Sequence, residues 1–465
     1  MYDFESGLSQ MERLEVLTAS PLLRLSSECL PRHGMSTKPA VADPAALMVL
    51  GAATVTFGSD RAADRELRAH WPRLRDTFEE AGLPVPDRAL RAQHFRYYRD
   101  CILGGGLPEE WKGSARDLFR GLALEIGLFP EVASSWIDPH PHGIVSSDGT
   151  WFAAASEVVD MSTSRSTTGR PRVVGDADRK HKYDRKGLGY MVCITSVRGS
   201  AQRERVVLDV SFAPNSAEMD VVIPTIANLR DHLGDRLRCV VFDGAMRGVH
   251  HRALRSLGVL TVNKPAGSRR LDQWRAHIDT VVGQEAKVLR IDSGCVHEHL
   301  VTVTAGMFWE LEPSGGGKYR RRRVLEVRDV RRLPSGGGYR WELDVELRCG
   351  SGSHIYTVDP NATIPCATGA ELMKAEALTY RSKLNLSETL RILQMNDEQF
   401  AVVFGRRNDS EAGNKNAKFD FGLGHRARSY TRQRHETDLW LYALLANSLV
   451  WQEHRQRVGG RRQAA

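Results

Sequence analysis

Four side chains near the C-terminus have types and a spacing suited to metal-dependent chemistry on a polyanion. They stand in the segment FGRRNDSEAGNKNAK. A helix that begins within residues 408–410 would bring Glu411, Asn414, Lys415 and Lys418 to one face, because positions i, i+3, i+4 and i+7 stack along a helix. A carboxylate is a preferred ligand of Mg²⁺, and lysine ammonium groups bind phosphates. The segment therefore predicts a metal ligand beside cations that hold a nucleic-acid backbone.

Two aspartates far upstream supply the further carboxylates that such a site requires. Asp148 stands in HGIVSSDGTW and Asp243 in RCVVFDGAMRG, and each follows a short β-branched run typical of a strand. Each also precedes a glycine, and an Asp-Gly pair by itself is typical of a turn. Glu411 alone is explained as an acid near a helix start, where the helix dipole favours it. The joint placement of the three acids favours a shared metal site over these separate explanations.

The C-terminal spacing resembles a family signature. It is similar to the Y-x2-R-x3-E-x6-K pattern of cut-and-paste insertion-sequence transposases of the DDE class, and Phe404 stands where that family usually has tyrosine. Asp148 and Asp243 resemble the first and second acids of the same family. The resemblance covers roughly residues 140–455. The residues at the four signature positions are Phe404, Arg407, Glu411 and Lys418.

The resemblance implies an enzyme that cuts DNA at the terminal inverted repeats of a transposable element and joins the 3′-hydroxyl ends to target DNA. Asp148, Asp243 and Glu411 are then the catalytic residues and the ligands of two Mg²⁺ or Mn²⁺ ions, which neutralise carboxylates that otherwise repel one another. Two ends must be held together. A homodimer is therefore expected in the complex with double-stranded DNA.

DNA contacts are expected around the glutamate. By resemblance, Arg407 and Lys418 contact phosphates near the cleaved end. Asn414 and Lys415 are added because they share the predicted helix face. The ring of Phe404 lacks the hydroxyl of the family's tyrosine but can still pack or stack on DNA.

The charge balance favours an acidic partner. Lys and Arg number 65 against 57 Asp and Glu, which gives a net charge of +8, and residues 401–465 contain twelve Lys and Arg against six Asp and Glu. Most of the excess positive charge thus surrounds the glutamate segment. A second basic block, KYRRRR at 318–323, is explained equally well by a solvated hairpin strand and by contact with a DNA backbone.

No membrane partner is expected. The sequence has no run of 18 apolar residues, and its first residues, MYDFESGLSQMERLE, lack the basic and apolar stretches of a secretory signal. The seven cysteines are scattered singly, which argues against a disulfide framework or a zinc finger. These features predict a cytoplasmic, nucleoid-associated protein.

An all-helical N-terminal domain is predicted over residues 41–135, after a partly ordered arm over 1–40. Helical periodicity and N-caps at Ser59 or Asp60 and at Asp87 predict four helices, at 43–58, 59–82, 87–103 and 114–129. The third helix contains arginines and tyrosines that either bind the element ends or form an ordinary amphipathic face.

The element order after residue 140 predicts the catalytic core. Three strands, a helix, a strand, a helix and a strand succeed one another, which is the order of the RNase H-like fold. The predicted fold is α/β: an RNase H-like mixed-sheet core over 140–268 and 370–455, a β-rich insertion over 269–369, and a disordered tail over 456–465. Asp148 stands on the first strand and Asp243 at the end of the fourth, and these two strands are neighbours in that fold. Helices are also predicted over 387–404, with Ser387 as the cap, and over 436–455, where an apolar helix is expected to close on the sheet.

Two other functions remain open from the sequence. An RNase H-like nuclease without strand transfer needs the same three acids. A catalytically inactive DNA-binding regulator derived from a transposase would keep them only for structure. Products joined to target DNA would separate the transposase from both.

Overall fold

The structure is a computed structural model, and it describes most of the chain. The described residues are 7–32, 43–86, 88–131, 135–156, 176–180, 187–200, 204–214, 217–265, 275–292, 298–350, 352–374, 379–424 and 427–464. Within these ranges no helix has both the length and the apolar character needed to cross a bilayer.

The described chain is mixed α/β, as the sequence predicts. Its α-helices are α1 (Gln10–Ala19), α2 (Pro21–Ser27), α3 (Pro44–Thr56), α4 (Asp60–Ala69), α5 (Trp71–Glu80), α6 (Ala92–Tyr97), α7 (Glu109–Glu125), α8 (Glu218–Leu233), α9 (Gly248–Ser256), α10 (Gly369–Met373), α11 (Leu386–Thr389), α12 (Glu398–Gly405), α13 (Arg407–Lys415) and α14 (Arg432–Ala464). Its strands are β1 (Ile144–Ala153), β2 (Asp178–Lys180), β3 (Gly187–Arg198), β4 (Arg205–Ala213), β5 (Cys239–Val241), β6 (Leu260–Val262), β7 (Lys287–Ile291), β8 (His299–Thr304), β9 (Met307–Pro313), β10 (Tyr319–Val324), β11 (Val327–Ser335), β12 (Gly338–Cys349), β13 (Gly352–Val358), β14 (Thr363–Thr368) and β15 (Ser382–Asn385).

The chain forms two compact units. The first contains Met1–Leu128, Ser147–Val222 and Asn408–Ala465, and the second contains Phe129–Ser146 and Ile223–Arg407. The division into domains that the sequence suggests stays a prediction.

The helices before residue 130 differ from the predicted ones in number. Ser59 caps α4 as expected, with its Oγ accepting from the Ala62 N–H at 3.2 Å. The predicted helix over 59–82 is two helices, because Pro72 lacks an N–H and its ring clashes with a preceding turn. The expected cap Asp87 lies outside the described residues. The third predicted helix begins at Ala92 and continues as a π-helix over Tyr98–Ile102.

Two helices lie where a partly ordered arm was expected. Ser9 and Glu12 form a capping box at the start of α1, and Ser20 caps α2, which begins at Pro21. A Ser-x-x-Glu spacing is a recognised helix-start signal in a sequence. The spacing of Ser9 and Glu12 is therefore a local signal for α1, and the expectation of a partly ordered arm did not use it.

In the first unit, the strands pack against the long helix α14. Strand β3 pairs antiparallel with β2 and β4 and also adjoins β1. Trp440 of α14 is buried against Trp111 and Phe119, with ring centroids 5.9 and 6.2 Å apart. The predicted closing helix is therefore confirmed, and it extends to Ala464, through residues expected to form a disordered tail.

In the second unit, the first residues of β1 pair parallel with β5, and β5 pairs parallel with β6. Helix α8 precedes β5, and α9 connects β5 to β6. This order of strands and helices confirms the elements predicted from residue 217 to 262. Strand β2 is an additional short strand that the sequence did not indicate.

Two antiparallel sheets lie within the second unit, mostly in the segment over 269–369 that was predicted to be β-rich. One has the strand order β10-β9-β8-β7-β14-β15, and the other has the order β11-β12-β13. Trp309 and Trp341 are fully buried in the hydrophobic core of this unit. Strands β14 and β15 were not predicted. The helix predicted from Ser387 to residue 404 is instead two short helices, α11 and α12, and Asp397 caps α12 by accepting from the Gln399 N–H.

Candidate functional site

Asp148 lies inside strand β1 and not in a turn. The strand continues through Gly149 to Ala153. A Cβ atom at position 149 would overlap the carboxylate of Glu218, so a larger residue there would require that flexible side chain to move. Because successive side chains of a strand point to opposite faces, Asp148 and Thr150 share the face opposite to that contact. The turn explanation of this Asp-Gly pair is therefore wrong.

Helix α13 contacts that face of β1 within the first unit. Asn414 Nδ2 donates to Asp148 Oδ2 at 3.1 Å. One helical turn later, Lys418 Nζ donates to Thr150 Oγ1 at 2.6 Å and to the Trp151 carbonyl at 3.2 Å. The helical segment and the strand therefore meet at two points.

Glu411 is the fifth residue of α13, which begins at Arg407. Its side chain is exposed, as is that of Lys415, whereas Asn414 is buried. Residues three apart on a helix lie side by side, so Glu411 is a neighbour of the residue that contacts Asp148. The predicted helix is confirmed, with its start one residue before the expected range. Lys418, however, lies in a π-helical turn over Asn416–Asp420, not in the α-helix itself.

A buried ion-pair cluster fixes α13 on the strands of the first unit. Asp409 is 6% exposed. Its Oδ1 accepts from Arg198 of β3 at 2.5 Å and lies 3.8 Å from Arg205 of β4. Burial lowers the pKa of Arg205, and Asp409 offsets part of that loss. No local pattern predicts this cluster, because Asp409 is 211 positions from Arg198 in the chain.

The local electrostatic field at β3 is negative. Burial raises the pKa of the Cys193 thiol, and the carboxylates of Glu218 and Asp148 raise it further. Glu218 contacts β1 at Gly149, on the face opposite to Asp148, so the two carboxylates do not face a common site.

Asp243 belongs to the second unit and follows β5 at a turn. Its Oδ1 accepts from the Ala245 N–H at 2.8 Å, and its own carbonyl accepts from the Asn263 amide at 3.4 Å. Within this unit Ser146 of β1 pairs with Val241 of β5. Asp243 is two residues beyond Val241, and its side chain is half-buried. Asp243 therefore acts as a turn residue in the structure. Its predicted role as a metal ligand stays a prediction.

Phe404 is packed in the second unit. Its ring stacks on Phe400, with centroids 5.4 Å apart, and Lys264 Nζ lies 5.2 Å from the ring centroid. The side chain is 8% exposed. Arg407 is the first residue of α13 and is partly exposed. The four signature residues are thus divided between α12, α13 and the π-helical turn.

The three predicted acids are not seen as one cluster. No three His, Cys, Asp or Glu side chains lie close enough to bind a metal together anywhere in the described ranges. Asp148 and Glu411 lie in the first unit and Asp243 in the second. The structure brings Asn414 to Asp148, and Glu411 lies three residues before Asn414 on α13. The joint site stays a prediction.

Comparison of the chain with protein-family models, with curated proteins and with solved structures gave no match.

Proposed function

We propose that this chain is a metal-dependent DNA transposase of the DDE class. On this proposal it cleaves the ends of a transposable element and joins them to target DNA. The observation on which the proposal rests is the contact between Asn414 and Asp148. That contact brings the predicted glutamate helix onto the strand of the first predicted acid, although the two residues are 266 positions apart.

The order and pairing of the strands support an RNase H-like core. The first strand of that fold adjoins the fourth, and β1 pairs parallel with β5, the fourth predicted strand. The pairing places Ser146 opposite Val241. Asp148 and Asp243 each follow these paired residues by two positions. Asp148 thus lies within β1 just beyond its pairing with β5, and Asp243 lies in the turn just beyond β5.

The residues present fit a hard divalent cation. Asp148, Asp243 and Glu411 offer carboxylate oxygens, which Mg²⁺ and Mn²⁺ prefer. Asn414 adds a buried amide oxygen, Oδ1, that has no hydrogen-bond partner in the described residues. Two bound ions would activate the attacking water or 3′-hydroxyl and stabilise the leaving oxygen of the phosphodiester. Asp148, Asp243 and Glu411 would hold them.

DNA binding would fall on the exposed part of α13. Lys415 is exposed on the same helix as Glu411 and is our strongest candidate for a phosphate contact. Arg407 is partly exposed at the helix start. Lys418 already donates to Thr150 and to the Trp151 carbonyl, so its main role in this chain is to hold the helix on the strand.

Isosteric amide variants test the catalytic assignment. Asp148→Asn, Asp243→Asn and Glu411→Gln remove negative charge but keep an acceptor, so the Asp243 turn survives. We expect each to lower Mg²⁺-dependent cleavage by on the order of 10³-fold or more, because metal stabilisation of the transition state contributes several kcal/mol. The matched control is Asp231→Asn, an exposed acid of α8.

The substrate is DNA that flanks the chain's own gene, found by footprinting and supplied with pre-nicked ends. If the parent chain forms products in which the element ends are joined to target DNA, it is a transposase and not a nuclease without strand transfer. Binding and cleavage that are unaffected in Asp243→Asn would refute the assignment of the acids. Binding without any cleavage by the parent chain would favour the inactive regulator.

A further inference from the structure

Asn414 is a buried residue whose amide faces the first predicted acid. Its side chain is 8% exposed, and its Nδ2 donates to Asp148 Oδ2 at 3.1 Å. Its Oδ1 is buried, with no hydrogen-bond donor near it in the described part of the chain. Leaving a buried acceptor unsatisfied is energetically costly, so this oxygen is expected to accept from a group that binds at the site.

We propose that Asn414 is a positioning residue that orients Asp148 for a divalent cation, an inference that rests on the proposed function. The amide N–H holds one carboxylate oxygen and thereby fixes the rotation of the carboxyl group. The second oxygen of Asp148 is then directed toward the cation. Such hydrogen bonds to a ligating carboxylate affect metal affinity although the donor does not itself touch the metal.

The unsatisfied Oδ1 of Asn414 has a role in the same arrangement. Mg²⁺ in proteins usually keeps several water molecules, because it gives up its hydration shell reluctantly. A water that hydrates the cation is the donor that Oδ1 lacks. Asn414 would then bind the carboxylate with its N–H and the hydrated ion with its C=O.

This role differs from the DNA contact predicted from the helix face. Asn414 is buried, and its amide donates to a carboxylate, whereas its neighbour Lys415 is exposed. Lys418 supports the arrangement, since its hydrogen bonds to Thr150 and Trp151 set the position of the helix along the strand. The helix therefore has an inward residue for the acid and an outward residue for the phosphates.

The test uses calorimetric titration of Mn²⁺ into the full chain without DNA. Asn414→Ala should lower Mn²⁺ affinity by about 10- to 100-fold, and Asn414→Gln, which keeps an amide N–H, should recover part of the loss. Asn416→Ala is the matched control: Asn416 is also buried, but its Nδ2 donates to Asp420 at 2.7 Å. Binding of DNA ends in EDTA should not change in any of these variants. Cleavage by Asn414→Ala should need more Mg²⁺ and recover when Mg²⁺ is saturating.

The possible results distinguish a failure of the role inferred for Asn414 from a failure of the proposed function. Equal loss of Mn²⁺ affinity in Asn414→Ala and Asn416→Ala would mean that Asn414 only supports the fold, and would overturn the inference. Mn²⁺ affinity in Asn414→Ala equal to that of the parent chain would also overturn the inference. If that variant then bound DNA ends more weakly in EDTA, the earlier prediction that Asn414 contacts DNA would be supported instead. A parent chain that binds no Mn²⁺ would overturn the proposed function as well.

Discussion

At the scale of single residues, Asp438 shows how burial sets a charge state. It lies in α14, is buried, and accepts from Ser429 Oγ at 3.1 Å. Burial raises the pKa of its carboxyl group to about 6, although Arg99 and Arg428 oppose the shift. The folded protein therefore keeps a proton on Asp438 between pH 4 and pH 6 that the unfolded chain releases. Stability from this group falls as the pH rises through that window.

Asp438→Asn is expected to abolish this dependence. Asparagine mimics the protonated acid and keeps an acceptor for Ser429. The variant should gain stability over the parent as the pH rises from 4 to 7, by up to about 3 kcal/mol for a shift of about two pKa units. Urea denaturation at a series of pH values measures the difference. Glu453→Gln on the same helix is the control, and a flat difference for Asp438→Asn would contradict the prediction.

Lys415 is the residue at which DNA affinity should be most sensitive to salt. It is exposed on α13. If it neutralises one phosphate, Lys415→Ala should weaken end binding and reduce the slope of log K against log salt by about 1. Arg457→Ala is the control, since Arg457 is already paired with Glu204. Equal slopes for Lys415→Ala and the parent would exclude Lys415 from the interface.

At the scale of elements, one side chain of α14 satisfies both hydrogen-bonding groups of a backbone residue in strand β4. Asn447 of α14 is fully buried; its Oδ1 accepts from the Val207 N–H and its Nδ2 donates to the Val207 carbonyl, both at 2.9 Å. Asn447→Ala leaves both backbone groups of β4 without a partner. We expect a loss of about 2 to 4 kcal/mol in the free energy of unfolding.

Ser448→Ala provides the comparison for that loss. Ser448 is equally buried, but its Oγ donates only to the Leu444 carbonyl of its own helix. Its replacement should cost less than about 1.5 kcal/mol. Urea denaturation of both variants measures the contrast, and similar losses would show that Asn447 contributes by packing and not by its two hydrogen bonds.

The sequence predicted those elements whose signals are local. Strands such as β3 and β5 were found because β-branched runs are bounded by turn residues. The helices broken by Pro72 and Asp397 were predicted too long, because periodicity continues across a break and hides it. Strands β14 and β15 were missed, because they are defined by pairing with each other and with β7.

The residue types in the sequence predicted which side chains belong to the candidate site, but not which of them contact one another. Asp148 and Glu411 were chosen for their chemistry and placement. Spacing could not show that Asn414 reaches Asp148 or that Asp409 is held by Arg198, since both contacts join distant parts of the chain. Local sequence therefore indicates which residues can do chemistry, whereas folding decides which of them meet.

At the scale of the whole molecule, much of the C-terminal positive charge is engaged within the protein. Arg428 donates to the carbonyls of Thr54 and Val55, and Arg434 pairs with Asp100 at 3.1 Å. Counts of lysine and arginine therefore overstate the charge available to a partner. A DNA contact should be sought on exposed cations and not across the whole basic segment.

The arginines of strand β10 have a related consequence. Arg320 lies 2.6 Å from Glu312, and Arg323 lies 2.7 Å from Glu310, so acids on β9 pair with part of the basic block that the sequence shows. Fields of adjacent opposite charges cancel within a short distance. The block nevertheless contains more cations than these two acids can neutralise. The long-range attraction of this hairpin for a nucleic acid is therefore weaker than its count of cations indicates, but it is still positive.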